Sequence, residues 1–322
     1  MAPAAGTDAP PPVTVAVVSW NTRELLAQCL RSLHPEVVAG RASVWVVDNA
    51  SSDGSAAMVR EQAPWATLVE PGENLGFGAA VDLVAARTDS PWLAPANADI
   101  ALAPGALATL LEAGAHPRTG VVAPRLVLPE GCTQHSVHPF PTLAFTIAFN
   151  LGLATAGRRC GDRLCLEGHW NPERARTVAW AIGAFLLIRR SAFEAAGGFD
   201  AQQWMYAEDL DIGWRLADLG YLTRYEPAAV VFHDESAAAD PAFGPDKVAR
   251  FTAATYAVIA RRRGRARAWL TGLANCLGAA ARVALLTPSA GRRPGRRAAR
   301  DGVRLWLRAQ RGGLRMLARR GA

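Results

Sequence analysis

The chain alternates short apolar runs with segments in which apolar residues recur every three or four positions. Val13–Ser19 and Val44–Val47 are β-branched runs with the composition of buried parallel strands. Between them, Asn21–Glu24 has the spacing of a capping box, and leucines at helical spacing follow it. Repeated strand-helix units predict an α/β fold, with a mostly parallel sheet flanked by helices. In such sheets, ligands bind at the carboxyl ends of the strands.

The same alternation continues to about residue 123, fades, and then returns. From 125 to 176 the periodicity is weak, and we expect loops with one or two helices around Leu143–Leu153. The other predicted elements are strand Leu68–Glu70, helix Gly76–Arg87, strand Trp92–Pro95, helix Pro104–Glu112, strand Gly120–Ala123, an apolar run Thr177–Arg189, helix Asp209–Leu219 and strand Ala229–Phe232.

Polar and acidic residues gather where predicted strands end or the helix at 209 begins. The three clusters are Asp48-Asn49, Asn97-Ala98-Asp99 and Glu208-Asp209-Leu210-Asp211. Each cluster alone is equally typical of turn and cap residues, and Ser52 or Asp53 is expected to cap the following helix. Taken together, the clusters indicate a binding site along one edge of the sheet.

The charge of the chain is divided unevenly between its two ends. The formal net charge is +7, yet residues 261–322 hold 17 arginines and one acid, whereas residues 1–260 hold 18 basic and 27 acidic residues. Half of the residues are apolar and a fifth are charged, which excludes a disordered chain, and five scattered cysteines are too few for a disulfide scaffold. We therefore predict a leader at 1–12, a folded α/β domain at 13–240 and a helical, basic tail at 241–322.

The tail is predicted to bind a membrane surface rather than to cross the membrane. Its uncharged run, Ala268–Ala281, is shorter than the roughly 18 residues of a spanning helix. Gly312-Gly313 is expected to weaken the last helix. A basic amphipathic helix favours anionic lipid, a solvated basic tail is the alternative, and no motif indicates nucleic-acid binding. The basic stripe comprises Arg300, Arg304, Arg308, Arg311, Arg315 and Arg319, beside an apolar face of Val303, Trp306, Leu307, Leu314 and Leu317.

The first twelve residues lack the pattern of a secretory signal peptide. Residues 1–12 contain neither Lys or Arg nor an apolar run, so no signal peptide is predicted and a disordered leader is expected.

Five segments of the body resemble one enzyme family. They are VVSWN at 17–21, VVDNASSDGS at 46–55, NLGFGAA at 74–80, NAD at 97–99 and GGFDAQQWMYAEDLDIGWR at 197–215. Together they resemble the GT-A glycosyltransferases of family 2, particularly the rhamnosyltransferase-like branch, over residues 13–236. The resemblance implies inverting transfer of a sugar, L-rhamnose from dTDP-L-rhamnose, to a lipid-linked or cell-envelope saccharide. Together with the basic tail, which lies outside the resemblance, this leads us to expect a cytoplasmic enzyme held peripherally at the inner face of the cell membrane.

The resemblance also implies roles for individual residues. Asp209 would be the base, with Glu208 beside it, and Asp99 would hold Mg²⁺ or Mn²⁺ on the diphosphate together with His233. Asp82 stands where this branch usually has asparagine. The expected nucleotide-sugar-binding residues are Ser19, Asn21, Asp48, Asn74, Gly76, Gly78, Asn97 and Gly183.

Other interpretations remain open at this point. The body fits a transferase for another donor, such as UDP-galactofuranose or a UDP-hexose, or a catalytically silent GT-A scaffold at the membrane. A nucleotidyltransferase would need a lysine-bearing phosphate loop near the N-terminus, and no lysine precedes Lys247. A zinc site has spacings that match no standard finger. Its candidate ligands are Cys132, His135, His138, Cys160, Cys165 and His169.

Overall fold

The computed structural model describes residues 12–155, 158–234, 247–290 and 294–319. The predicted leader, apart from residue 12, and the predicted boundary at 240/241 lie outside these ranges. The strands are β1 Val13–Ser19, β2 Ala42–Asp48, β3 Thr67–Val69, β4 Trp92–Asn97, β5 Ile100–Leu102, β6 Thr119–Val127, β7 Val137–His138, β8 Arg176–Val178, β9 Trp180–Ala181, β10 Leu187–Arg189 and β11 Leu222–His233. The helices are α1 Arg23–Val38, α2 Ser55–Gln62, α3 Phe77–Ala85, α4 Ala106–Ala113, α5 Leu143–Asn150, α6 Arg158–Arg163, α7 Arg190–Ala195, α8 Glu208–Asp218, α9 Lys247–Arg263, α10 Arg265–Ala290 and α11 Pro294–Arg319, with a 3₁₀ turn at Leu153–Thr155.

A mixed sheet in the order β3-β2-β1-β4-β10-β6-β11-β5 forms the centre of the molecule, and β8 also pairs with β11. The pairs β1–β2, β1–β4, β2–β3 and β6–β11 are parallel, as predicted. Strand β10 lies antiparallel between β4 and β6, and β5 lies antiparallel to β11. The apolar run at 177–189 is thus divided among β8, β9 and β10. Because β10 is covered on both faces, its composition gives no sign of its direction.

Apolar residues fill both faces of this sheet. Val15 and Val17 of β1 pack with Leu26 of α1 on one face, whereas Ala16 packs with Val84 of α3 on the other. This alternation follows from the pleat, which points successive side chains to opposite faces. The sheet is therefore a rigid support for the loops at its carboxyl edge.

The start of α1 differs from the predicted capping box. Thr22 occupies the N-cap position without bonding a helical amide, and Asn21 adopts φ +54°. Asp53 replaces the missing cap, because its Oδ2 accepts the amide of Arg23 at 2.8 Å. The N-cap position of α2 is Gly54 rather than the predicted Ser52 or Asp53, and Asp53 Oδ1 instead accepts the amide of Ser55, the first residue of α2, at 3.0 Å. One carboxylate therefore ties two helix starts together.

The three C-terminal helices dock onto the body. Trp180 and Trp214 of the body share a buried cluster with Tyr256 of α9 and Leu317 of α11. Helix α11 runs through Gly312-Gly313 without interruption. A Cβ on Gly313 would lie 2.7 Å from a methyl group of Thr252, so this glycine permits the close approach of α11 to α9.

Helix α10 is longer and more exposed than the sequence suggested. In the part of the chain that the structure describes, Arg265–Pro288 is long and apolar enough to cross a membrane, with a mean hydropathy of 1.4 over its best window. The prediction that this segment is too short was wrong because it counted only the uncharged run. Only 17% of that window is buried, so most of this apolar helix faces outward.

Candidate active site

The end of β2 presents an unpaired carboxylate oxygen. Asp48 is only 3% exposed, and its Oδ2 accepts the amide of Ser51 at 3.3 Å. Its Oδ1 is buried and accepts no hydrogen bond from the described residues. A buried acceptor without a donor costs free energy unless a ligand supplies that donor. Asp48 is therefore suited to accept a hydrogen bond from the base or ribose of a nucleotide.

Ser19 and Asn21 hold the end of β1 beside this turn. Asn21 Oδ1 accepts the amide of Ser52 at 2.8 Å, and the amide of Asn21 donates to Ser51 Oγ at 2.9 Å. Ser19 Oγ lies 3.0 Å from the hydroxyl of Thr22 and is buried. These hydrogen bonds hold the end of β1 against the turn that follows β2.

The glycine-containing loop at 74–78 contacts another protein segment. Asn74 Oδ1 accepts the amide of Gly76 at 3.0 Å, and Gly76 has φ +79°. A Cβ on Gly76 would lie 2.2 Å from the carbonyl oxygen of Trp204, and one on Gly78 would lie 2.8 Å from Cβ of Phe199. Both glycines are therefore required for packing against residues 199–207, which we call the bridging loop.

Asp99 and His233 meet at the other side of the site. Asp99 follows β4, His233 ends β11, and Asp99 Oδ1 lies 3.5 Å from His233 Nε2. His233 Nδ1 donates to Gln134 Oε1 at 2.8 Å, which leaves Nε2 with a lone pair in the neutral ring. Asp99 Oδ1 is buried and accepts no hydrogen bond from the described residues. Asn97 is partly buried, and its amide donates to the carbonyl of Ala184 at 2.9 Å.

These two side chains fit a divalent cation that also binds phosphate. An orphaned carboxylate oxygen and an imidazole nitrogen lie 3.5 Å apart, a separation that two ligands of one cation can have. In the described ranges no group of three or more His, Cys, Asp or Glu side chains surrounds a common point. Diphosphate and water oxygens would therefore supply the remaining ligands, as hard cations allow.

A carboxylate pair begins α8. Asp209 Oδ2 accepts the amide of Gly183 at 3.0 Å, and its Oδ1 accepts the amide of Leu210 at 2.7 Å. Desolvation raises the pKa of Asp209 despite these hydrogen bonds. Desolvation, followed by repulsion from Asp209, raises the pKa of Glu208 as well. A raised carboxylate pKa is what a general base requires near neutral pH.

The backbone directly before this pair is strained. Tyr206 and Ala207 have φ of +64° and +60°, which is costly for residues with a Cβ. Such strain persists only where the surroundings hold it in place. Asp211, with no exposed side-chain surface, pairs with Arg215 at 2.8 Å.

Three side chains of the site were not singled out from the sequence, although two of them lie within the quoted motifs. Asn49 Nδ2 donates to the carbonyl of Gly76 at 3.4 Å and so links the turn after β2 to the glycine-containing loop at 74–78. Gln134 orients His233 from 99 positions away. Trp204 Nε1 donates to the carbonyl of Asn74 at 3.3 Å. The only available signals were the polar residue directly after Asp48 and the tryptophan inside the 197–215 motif.

Asp82 proves to be a structural residue. Its Oδ1 accepts the amide of Phe199 at 3.0 Å, and burial raises its pKa. It thus fastens the entrance of the bridging loop, a bond that the carbonyl of an asparagine would also make.

The candidate zinc ligands serve the packing of the fold. The rings of His135 and His138 lie 4.4 Å apart, and burial lowers the pKa of His138 to about 3. His135 Nε2 lies 2.5 Å from the carbonyl of Cys165. These contacts leave the imidazoles in hydrogen-bonding and aromatic roles.

A mixed sheet with acidic side chains at its carboxyl edge is the architecture of a GT-A glycosyltransferase. The family comparisons make this assignment specific. The chain matches the model of glycosyl transferase family 2 over residues 14–196 and that of glycosyl transferase family group 2 over residues 169–317. It belongs to glycosyl transferase family 2 and is a glycosyltransferase, which confirms the predicted fold class and enzyme class.

Individual proteins agree with this assignment. The N-acetylglucosaminyl-diphospho-decaprenol L-rhamnosyltransferase of Mycobacterium tuberculosis (strain CDC 1551 / Oshkosh) is 33% identical over 247 residues, which cover 68% of this chain and 75% of that protein. Rhamnosyltransferase WbbL of Escherichia coli (strain K12) is 33% identical over 31% of this chain and 35% of its own. The mannosyltransferase PcManGT of Pyrobaculum calidifontis, solved with GDP-Man and Mn²⁺, superposes with a TM-score of 0.59 at 21% identity, over 97% of this chain and 87% of its own. The resemblance to the rhamnosyltransferase-like branch is thereby confirmed.

Proposed function

We propose that this glycosyltransferase moves L-rhamnose from dTDP-L-rhamnose, with inversion, onto a polyprenyl-diphosphate-linked N-acetylglucosamine. The observation that carries the proposal is the 33% identity to an enzyme named for that acceptor and sugar, extending over two thirds of this chain. Transfer to a lipid-linked saccharide agrees with this homology, and the identity of the donor, dTDP-L-rhamnose, is the further part of the proposal.

The geometry of the site supports a direct displacement. Asp209 takes the proton of the acceptor hydroxyl, whose oxygen attacks the anomeric carbon while the bond to the β-phosphate oxygen breaks. The nucleoside diphosphate leaves with that electron pair, and the sugar inverts because attack and departure occur on opposite faces. Asp48 holds the nucleoside, and Asp99 with His233 would hold Mg²⁺ or Mn²⁺. A bound cation offsets the negative charge that develops on the leaving diphosphate.

A donor panel tests the proposal. Purified enzyme is supplied with polyprenyl-diphosphate N-acetylglucosamine, a divalent cation, and dTDP-L-rhamnose, UDP-galactofuranose or UDP-glucose in turn. We expect product with dTDP-L-rhamnose and at least tenfold less with the UDP sugars. Faster turnover of a UDP sugar would replace the donor assignment. Absence of turnover with every donor and with both Mg²⁺ and Mn²⁺ would favour a silent scaffold.

We also propose that the enzyme lies peripherally on an anionic membrane, at its cytoplasmic face. Supporting this, Leu270, Leu273 and Leu277 form a stripe on α10 and are 50%, 51% and 63% exposed. Leu151 and Leu153, which follow α5 and are 69% and 61% exposed, add to the apolar surface of this region, where α5 packs against α10. A lipid-linked acceptor would be reached from such a position.

The basic stripe and the apolar stripe lie on different helices. Arg304, Arg308, Arg311, Arg315 and Arg319 of α11 are exposed as predicted, but the opposite face of α11 packs against α9 and α10. The apolar contact with lipid is therefore assigned to α10, and the electrostatic attraction to α11. An exposed arginine row beside α10 favours a helix pair lying in the interface over a spanning helix.

Liposome flotation tests this placement. Changing Leu270, Leu273 and Leu277 together to Ser removes apolar contacts worth about 1 kcal/mol each, because each is already half-exposed in the protein. Partition onto anionic vesicles should fall by on the order of 100-fold. Leu219→Ser, at a 52% exposed leucine that ends α8, is the matched control and should float like the wild type. Equal flotation of the triple variant would refute the assignment to α10, and resistance to carbonate extraction would indicate a spanning helix.

A further inference from the structure

Three consecutive arginines at the end of α9 face the catalytic body. Arg262 Nε donates to Asp211 Oδ1 at 2.6 Å, and its Nη2 donates to Asp200 Oδ2 at 2.9 Å. Arg261 Nε lies 3.2 Å from the same oxygen of Asp200. Arg263 Nη2 pairs with Asp218 Oδ1 at 2.6 Å, at the far end of α8. The predicted membrane tail therefore begins with a clasp on the body, which we define as Arg261 and Arg262.

The clasp contacts two elements, helix α8 and the bridging loop, whose alignment catalysis requires. Asp211 lies on α8 two residues after the base, and it has no exposed side-chain surface. Asp200 lies at the start of the bridging loop, outside α8. Arg262 contacts both carboxylates with one planar guanidinium, so it fixes the loop relative to the helix. Arg261 adds a hydrogen bond from Nη2 to Gln203 Oε1 at 2.6 Å, further along the loop.

The bridging loop connects the two halves of the site. Trp204 of this loop packs on Gly76 of the glycine-containing loop at 74–78, and the last residues of the bridging loop are the strained Tyr206 and Ala207. Gln203 Nε2 donates to the carbonyl of Tyr206, so the clasp reaches the strained turn through one side chain. Positive φ at two residues with a Cβ needs external support, which the clasp supplies.

We propose that Arg262, assisted by Arg261, is a positioning residue that sets the position of Asp209 relative to the glycine-containing loop at 74–78. It contacts neither the base nor the predicted nucleotide-binding residues, and it acts through Asp200 and Asp211. The inference rests on the proposed transfer reaction at this site, since positioning matters only if Asp209 is the base. A misplacement of about 1 Å costs on the order of 100-fold in rate.

Point variants separate positioning from general stability. Arg262→Ala should lower kcat by 10- to 100-fold with little change in the KM for donor, because the nucleotide-binding residues keep their places. The kcat of Arg262→Lys should lie between those of the wild type and of Arg262→Ala, since the ammonium group of lysine can pair with one of the two carboxylates but not with both at once. Arg263→Ala is the matched control, because it loses an ion pair with Asp218 and the stacking of its guanidinium on Trp214, both on α8, and leaves the contacts of Arg261 and Arg262 with the loop in place.

A second variant covers the case in which Arg262→Ala does not fold. Asp200→Asn leaves the buried Asp211 paired with Arg215 and Arg262, and its carbonyl can keep the bond to the amide of Gln202. It should reproduce much of the kcat loss. Combined with Arg262→Ala in a soluble double variant, the two losses should be less than additive, as expected of residues in contact.

Hydrogen exchange gives a readout that does not depend on activity. Amides of the bridging loop should exchange at least tenfold faster in Arg262→Ala and Asp200→Asn, while those of β1 stay unchanged. Wild-type kcat together with wild-type exchange in Asp200→Asn would overturn the proposal, as would an equal kcat loss in Arg263→Ala. If the wild-type enzyme transfers no sugar from any donor, the proposed function fails, and loop exchange alone then decides whether the clasp orders this loop.

Discussion

Replacing Asp209 with Asn should remove the base while keeping the size of the side chain. In the structure, Asp209 accepts amides from Gly183 and Leu210. An asparagine has one carbonyl oxygen, so it can accept one of these hydrogen bonds and must turn its own NH₂ toward the other amide. The substitution therefore changes both proton transfer and local hydrogen bonding, and the two effects have to be separated.

The two effects have different magnitudes and appear in different measurements. Loss of general base catalysis lowers kcat by about 10²- to 10⁴-fold. Loss of one hydrogen bond to a charged group costs about 1.5–3 kcal/mol of folding free energy. Part of that cost is offset, because desolvation raises the pKa of Asp209 and so opposes its charged form. The net loss of folding free energy should therefore be smaller than this hydrogen-bond cost, and the main effect of the substitution should be the loss of kcat.

Steady-state transfer, dTDP binding and thermal unfolding of the same variant give the decisive comparison. We expect kcat to fall at least 100-fold while the Kd for dTDP stays within about twofold, because Asp48 and Asp99 are untouched. The pH profile supplies an independent check. The raised pKa of Asp209 places the acid limb of the wild-type kcat above the usual aspartate range, so activity is lost as the pH falls through that raised pKa. The residual activity of Asp209→Asn should lack this limb.

Glu208→Gln identifies the base within the pair. Glu208 Oε2 is buried and accepts no hydrogen bond from the described residues, and the raised pKa of Glu208 favours its protonated form. A glutamine at this position is neutral and so imitates that protonated carboxyl group. Asp209→Asn should be the more damaging of the two variants. A greater loss in Glu208→Gln would move the base to Glu208, and wild-type turnover in Asp209→Asn would refute the mechanism.

Three further outcomes are expected. Asp99→Asn should raise the cation concentration needed for half-maximal activity at least tenfold, and an unchanged metal titration would remove Asp99 from the metal site. Gly76→Ala should lower the free energy of unfolding by about 1–3 kcal/mol in urea denaturation, because its Cβ would meet the carbonyl of Trp204. An unchanged free energy of unfolding would mean that the bridging loop can move aside without an energetic cost. Asp82→Asn should keep kcat within about twofold, because its carbonyl still accepts the amide of Phe199; a tenfold loss would restore a role for this carboxylate at the donor.

The parts of the site that the sequence revealed are those encoded by consecutive residues. The turn after β2 and the acids at the start of α8 lie within single motifs, so pattern and resemblance located them. The partner of His233 is Gln134, 99 positions away on another strand connection, and no local pattern links them. The positive φ at Tyr206 and Ala207 has no sequence signal either, because glycine or asparagine normally marks such positions.

The count of charges in the tail did not reveal which of its arginines pair with the body. Three of the arginines that were assigned to a membrane pair instead with acids of the body, at Asp200, Asp211 and Asp218. Deleting residues 261–322 would therefore remove the clasp and the membrane surface together. Separate point variants should dissociate the two roles. The triple serine variant of α10 should lose vesicle binding yet turn over a short-chain, water-soluble acceptor normally, whereas Arg262→Ala should bind vesicles normally and turn over that acceptor slowly. Parallel loss of both properties in each variant would mean that the tail acts as one structural unit, without separable roles.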